Sequence, residues 1–139
     1  MAHLHVTGID EFSASISKAE KIPAKTMIEI LRAMGSVLVV ELRRKAAKLG
    51  IPIGQMVNSA SPNAPRITGD GGRVTVTFKG ERHRWNTTTR EAEIAFLNNY
   101  GKKGQAARPF ITQACEDNDS ADRVVAAGQA VFDQWIGSL

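Results

Sequence analysis

Cys115 is where nucleophilic chemistry would start in this chain, because a thiolate is a strong nucleophile and His3, His5 or His83 could serve as its base. That pairing would make the protein a thiol hydrolase. Cys115 falls beside Ala114 on a predicted helix, however, where a buried and inert thiol is the preferred reading. His3 and His5 alternate with Leu4 and Val6 and look like a metal pair only superficially. No cysteine or third histidine lies near them in the sequence, so no metal is expected. Glu91 and Glu93 stand two apart and are expected to cap a helix or face solvent; Glu116, Asp117 and Asp119 are expected to cap the last helix. Neither group has neighbours that would set a general acid apart from a base. The sequence holds no Cys-x-x-Cys, His-Glu-x-x-His, Gly-x-Ser-x-Gly or dinucleotide glycine fingerprint, and Gly71-Gly72 lacks the Gly-Lys-Ser/Thr ending of a phosphate loop. The expectation is a protein that is not an enzyme and takes no cofactor.

Nucleic-acid binding is the stronger rival. The formal net charge is +4, and basic residues gather in Arg43, Arg44, Lys45 and Lys48, in Lys79, Arg82, His83 and Arg84, and in Lys102, Lys103 and Arg108. Arg82-His83-Arg84-Trp85 mixes charge with an aromatic ring, as single-strand binders do. Such clusters could meet phosphate, but a solvated face or an acidic protein neighbour is the reading preferred. Only 6% of the chain is aromatic, and no recognised nucleic-acid motif is present. A basic nucleic-acid-binding module therefore stands as the alternative.

These residues have to be positioned by a small set of elements. The 139 residues suit one domain with an aliphatic core. A lone cysteine fits a reducing compartment, and Met1 to Thr7 has no apolar core of signal-peptide length, so manufacture and use in the cytoplasm are expected. No apolar run approaches the roughly 18 residues of a membrane span. After the alternating His3-Leu4-His5-Val6, Phe12 and Ile16 stand four apart and Ala19 follows, which predicts a helix over 9–21 with Asp10 as its cap. Met27, Leu31, Met34, Leu38, Leu42, Ala46 and Leu49 repeat at helical spacing, widened by Ile30, Ala33 and Val37. Glu29, Arg32, Glu41, Arg44 and Lys48 fall largely on the far side. Pro23 starts this helix, and Gly50 with Pro52 ends it.

Residues 51–70, rich in Pro, Gly, Asn and Ser, read as a mobile or functional loop. Asp70-Gly71-Gly72 signals a turn, and Arg73 to Phe78 alternates cleanly as a strand with Val74, Val76 and Phe78 on one side. Lys79-Gly80-Glu81 predicts a hairpin turn into 82–86, with Trp85 over the sheet. Thr88 to Glu91 has capping-box spacing. Ala92, Ile94 and Phe96 fit a strand or a helix; a short helix closed near Gly101 is the reading taken. Lys102 to Ala107 is an exposed basic loop. Pro109 opens a helix with Phe110, Ile111 and Ala114 on its apolar side, and the last helix carries Val124, Gly128, Val131, Phe132 and Trp135. The sum is an α+β domain over 1–139, with the long helix and the C-terminal helices packed on one face of a small antiparallel β-sheet. The edges of so small a sheet invite pairing with another subunit.

The stretch Ala92-Glu93-Ile94-Ala95-Phe96-Leu97-Asn98-Asn99-Tyr100-Gly101-Lys102-Lys103-Gly104-Gln105-Ala106-Ala107-Arg108-Pro109-Phe110-Ile111 resembles the signature of a phage family. This is the tail-completion, or neck, family named for gene product ten of a lambdoid coliphage. Its pattern runs A-E-I-A-F-[IL]-N-E-Y-G-x-x-G-x-x-A-R-P-F-I, followed by an acidic helix with an aromatic-rich ending to which Val131-Phe132-Asp133-Gln134-Trp135 is similar. The likeness covers roughly residues 90–137. Two positions depart from the pattern: Asn99 stands where Glu is usual, and Thr112 where Arg is common.

The resemblance implies a structural virion protein of a long-tailed phage or prophage, assembled in the bacterial host cytoplasm and acting in tail completion or head-tail joining. The implied partners are other neck and tail proteins (head-tail connector, tail terminator or tail tube) and further copies of the chain in a ring. Non-specific contact with passing DNA is open, and no membrane is involved. Gly101, Pro109 and Phe110 read as architecture, through turn and helix-start chemistry. Tyr100, Lys102, Lys103 and Arg108 are the candidate contacts with neighbouring subunits. Arg108, beside the rigid Pro109, could clamp a carboxylate or the C-terminal carbonyls of a neighbouring element.

Overall fold

The elements in chain order are β1 (Ala2–Thr7), β2 (Glu11–Ile16), α1 (Ala24–Lys48), α2 (Gln55–Asn58), β3 (Ala60–Pro62), β4 (Arg66–Thr68), β5 (Gly71–Phe78), β6 (Glu81–Arg84), β7 (Thr87–Arg90), α3 (Glu91–Tyr100), α4 (Phe110–Glu116) and α5 (Asn118–Gly137). This is a computed structural model that describes residues 2–7, 11–16, 22–52, 54–68, 71–84 and 86–139, and for 2–7, 11–16, 68 and 84 the backbone alone.

The apolar repeat read in the sequence becomes the buried side of α1. Leu31, Leu38 and Leu42 are fully buried, with Met27, Ile30, Met34 and Ala46 almost so. The carbonyl of Pro23 accepts the first helical hydrogen bond, from Met27 N at 2.9 Å. At the other end Gly50 takes a φ of 75°. Gly50 N then donates to Ala47 O and Ile51 N to Ala46 O, while Ile51 packs into the core. This is the Schellman closure, which a glycine permits because it has no Cβ to clash in the left-handed region.

One side of α1 meets the sheet. Val74 and Val76 of β5 are fully buried and Phe78 nearly so. β5 is the central strand: β2 pairs with one of its edges, and β3 and β4 pair in succession with the other, all antiparallel, with β1 outside β2. The predicted α+β architecture therefore holds, with α1 packed against this sheet and against the C-terminal helix α5. The close approach of α5 rests on Gly128, where an added Cβ would lie 2.9 Å from Met34 Cγ and Sδ. Among the described residues no helix is long and apolar enough to cross a membrane.

Several sequence expectations are corrected. Residues 11–16 form strand β2, not a helix, pairing with β1 from Ala2↔Ile16 to Thr7↔Glu11 and with β5 from Phe12↔Val76 to Ile16↔Gly72. Asp10, the expected cap of that helix, lies outside the described residues. The 51–70 segment, read as loop, contains α2, β3 and β4. β6 does not return along β5: it pairs with β7 in a separate two-stranded ribbon, Glu81↔Arg90 to Arg84↔Thr87. Trp85, expected over the sheet, is outside the described residues. Thr88 sits in β7 and its hydroxyl lies 3.0 Å from His83 Nδ1, so the predicted capping box is not formed; α3 has no side-chain cap from its N-cap Arg90.

Glu41, assigned to the solvent side of α1, is fully buried. α5 covers it: Arg123 Nε donates to its Oε1. Arg44 Nε lies 3.3 Å from Oε2, yet without hydrogen-bond alignment, since Oε2 has no partner. Glu91, expected to cap or face solvent, is also fully buried and receives Arg82 through Nε at 2.7 Å and Nη2 at 3.3 Å. This two-pronged pair ties the β6–β7 ribbon to the start of α3.

Candidate interaction site

The corner from α3 to α4 is where the chain's most specific pattern folds. α3 buries Ala92 and Ala95 against the core. It ends when Gly101, at φ 79°, donates to Leu97 O at 2.8 Å. A Cβ at Gly101 would stand 2.9 Å from Ala107 N and 3.0 Å from Gln105 O. Both the φ and the space thus require glycine. The chain then makes a narrow turn in which Lys102 and Gln105 exchange backbone hydrogen bonds at 3.1 and 2.9 Å. Lys102 and Lys103 are exposed on it.

The return from the turn is fixed by Asn98 and Asn99. Arg108 N donates to Asn98 O at 2.6 Å. Pro109, at φ −79° and ψ 62°, centres an inverse γ-turn closed by Phe110 N to Arg108 O at 2.8 Å. The proline ring leaves no side-chain cap for α4, and Asn99 supplies one from the neighbouring helix. Its Oδ1 accepts from Ile111 N at 3.0 Å and Thr112 N at 3.1 Å, and its Nδ2 donates to Thr112 Oγ1 at 3.0 Å. Asn99 is only 2% exposed. Asn99 and Thr112 are therefore one bonded pair inside this chain.

Phe110 anchors the corner. It is buried and meets Phe78 edge to face, ring centroids 5.9 Å apart. On the outside, Tyr100 is 52% exposed and leans on Phe96 at 4.9 Å. Tyr100, Lys102 and Lys103 thus share one exposed tip. Arg108 is exposed too, but its Nη1 turns inward to Gly50 O at 3.3 Å, just beyond the end of α1. Of the two targets named for it, a carboxylate or carbonyls at a helix end, the contact made within this chain is to a carbonyl.

Cys115 is half-buried, and burial, then Glu116, push its thiol up to about 11. At neutral pH it stays protonated and a poor nucleophile. His83 stands 3.0 Å from Thr88 Oγ1 and 3.9 Å from Glu81 on the β6–β7 ribbon. The side chains of His3 and His5 lie outside the described ones. Among the described residues no three His, Cys, Asp or Glu side chains gather as a metal site. An open cleft of about 540 Å³ between the β6–β7 ribbon and the end of β5 is lined by Glu81, His83 and Arg90. Arg90 there is paired with Glu93.

Much of the basic charge is engaged internally. Arg43 donates to Asn58 O and Ala60 O, and Lys45 reaches Asp117 at 3.0 Å. Asp117 also caps α5 by accepting from Ser120 N and Oγ. Hydrogen bonds from Lys45 and Ser120 hold its carboxyl down at about 2. Arg82, the leading cation of the cluster weighed for the alternative nucleic-acid reading, is paired with Glu91. Sequence reasoning missed the buried pairs of Glu41 and Glu91 and the Asn99 cap. Nothing local marks them, because each depends on a partner brought up by the fold.

The fold and this corner define an α+β domain carrying a rigid, glycine- and proline-shaped turn with an aromatic-basic tip. Comparison of the chain with protein-family models, with curated proteins and with solved structures gives no match.

Proposed function

We propose that this chain is a structural virion protein of a long-tailed phage or prophage, acting in tail completion or head-tail joining by binding without turnover. The observation that carries the reading is the α3–α4 corner. Its patterned residues Gly101, Asn99, Pro109 and Phe110 all serve to hold one backbone shape, while Tyr100, Lys102 and Lys103 are left outside. A preformed tip of this kind loses little conformational entropy on docking, and an exposed tyrosine is a favoured contact type.

In this reading the tip meets neighbouring neck or tail subunits: the head-tail connector, the tail terminator or the tail tube. Copies of the chain stand around the tail axis with heterologous contacts that close a ring. It is made in the bacterial host cytoplasm and ends in the virion. Contact with passing DNA would be through backbone phosphates, without sequence reading.

The test is complementation of a phage or prophage lacking the gene, followed by electron microscopy. Without the protein, heads and tails should accumulate unjoined or incomplete. Tyr100→Ala combined with Lys102→Glu and Lys103→Glu should keep the wild-type melting temperature yet fail to restore particles. Normal infectious virions from the deletion, or full rescue by that variant, would reject the role.

A further inference from the structure

The second edge of β5 carries a feature that neither the corner nor the core explains. β3 pairs Ala60–Pro62 with Phe78–Val76, and β4 pairs Arg66–Thr68 with Arg73–Gly71. Residues 63–65 therefore stand opposite only Val74 and Thr75, three against two. The extra residue makes a bulge, pinned by Asn63 N donating to Thr75 O at 2.7 Å. Pro65 has no N–H to offer the ladder. Bulges of this kind re-aim side chains and are frequent beside functional sites.

Arg66 and Arg73 come face to face at this bulge. Residues directly opposite in an antiparallel pair point to the same side, and like charges there destabilise a sheet. Val74 and Val76 are buried on the core side of β5, so Arg73 and Thr75 lie on its open side. Both arginines are exposed and neither has an internal partner among the described residues. Most other arginines behave differently: Arg43, Arg44, Arg82, Arg90, Arg108 and Arg123 each turn to a carbonyl or carboxylate of the fold. The opposed pair, with Asn63, Ala64, Pro65 and Thr75, lines a cleft of about 310 Å³.

We propose that this cleft is a phosphate-binding site, in which Arg66 and Arg73 grip one phosphoryl group between them. Two guanidinium forks present parallel N–H donors matched to phosphate oxygens. The Asn63 amide and the Thr75 hydroxyl add neutral donors at the rim. That is more charge and more donors than a carboxylate with two oxygens can use. The bound anion turns the repulsion across the strands into two attractions. The proposal does not rest on the virion role.

The experiment uses the whole protein, with inorganic phosphate followed by calorimetry and by melting temperature. Wild type should bind saturably and melt higher as phosphate is added. Arg66→Gln and Arg73→Gln should each bind about tenfold more weakly, the loss expected for one charge-assisted contact. Arg32→Gln, an exposed arginine of α1 outside the cleft, should bind like wild type. A labelled single-stranded or duplex oligonucleotide separates the sources. If it binds, is displaced by phosphate and is lost in the same two variants, the phosphate is that of a nucleic-acid backbone. Phosphate binding without oligonucleotide binding assigns the site to a free phosphate or small ester.

Failure of both ligands to bind overturns the proposal. So does unchanged affinity in Arg66→Gln and Arg73→Gln, or competition by succinate as strong as that by phosphate. In phosphate-free buffer both variants should melt no lower than wild type, because each removes a repulsion. Melting well below wild type would make the arginines structural and would also reject the site.

Discussion

Asn99 offers the sharpest test of how the α3–α4 corner is held. Asn99→Ala removes the acceptor of Ile111 N and Thr112 N and the donor to Thr112 Oγ1. A helix cap replaced by alanine typically costs about 1 kcal/mol, and a buried donor left without a partner costs about 1–3 kcal/mol. Ile111 is 3% exposed, so water reaches its N–H poorly, whereas Thr112 is half-buried and better placed. The expected loss is about 3 kcal/mol. With about 2.1 cal/mol/K of unfolding entropy per residue over 139 residues, the melting temperature should fall by about 10 °C. Asn99→Asp keeps the acceptor and places a negative charge at the start of α4, which the helix dipole favours. It should lose less than half as much. The assay is urea unfolding followed by circular dichroism, with amide hydrogen exchange at Ile111 and Thr112. A loss below about 0.5 kcal/mol for the alanine variant, within ordinary surface scatter, or an aspartate variant as damaged as the alanine one, would refute the cap.

Other consequences can be measured in the same way. Gly101→Ala should destabilise by about 2 kcal/mol or more, because a strained φ and a blocked Cβ add. Gly104→Ala, with φ 82° but open space around it, should cost about 1 kcal/mol by denaturant titration, and equal losses would remove the clash from the account. Arg123→Ala leaves the buried Glu41 carboxylate with only the misaligned Arg44. Removing one partner of a pair whose other member is buried destabilises, and because Arg123 itself is 42% exposed, solvent screening softens the loss without removing it. Glu41→Leu with Arg123→Met should recover most of that loss, and failure to recover would point to strain elsewhere. Asp117 has a depressed carboxyl, so its stabilisation is fully present above its ordinary value of 3.8 and is lost as pH falls through about 2. Asp117→Asn should therefore flatten the acid limb of a stability–pH curve in that window, and an unchanged limb would contradict the Lys45 and Ser120 contacts.

The parts legible in the sequence are those where local pattern and tertiary partner agree. The repeat from Met27 to Ala46 spans many turns, so only a helix can place it on one side. Val74, Val76 and Phe78 alternate with polar residues, and only a strand serves them. Phe12 and Ile16 misled because a spacing of four fits both periods. With Ala14 between Ser13 and Ser15 the stretch also alternates, and pairing with β5 decided for the strand. Thr87 to Thr89 carries cap-forming hydroxyls and β-branched stiffness at once; pairing with β6 selected the second. Glu41 looked solvent-facing because a helix pattern describes one element and is silent on what will cover its back. At the candidate site, glycine and proline announced the turn through backbone chemistry. The roles of Asn99 and of the opposed Arg66 and Arg73 depended on register between segments, which no local pattern encodes.

The Glu41–Arg123 pair joins positions far apart in the chain, and this sets an order of events during synthesis. A nascent chain that has reached only α4 holds Glu41 with no guanidinium from α5, and the side of α1 bearing Met34 lies bare where Gly128 should press. Such an intermediate presents an apolar groove around an unsatisfied carboxylate, and transiently exposed apolar surface of this kind is prone to aggregation. Native closure waits for residues 118–137 to leave the ribosome, so ribosome-stalled chains ending before residue 123 should remain protease-sensitive across α1.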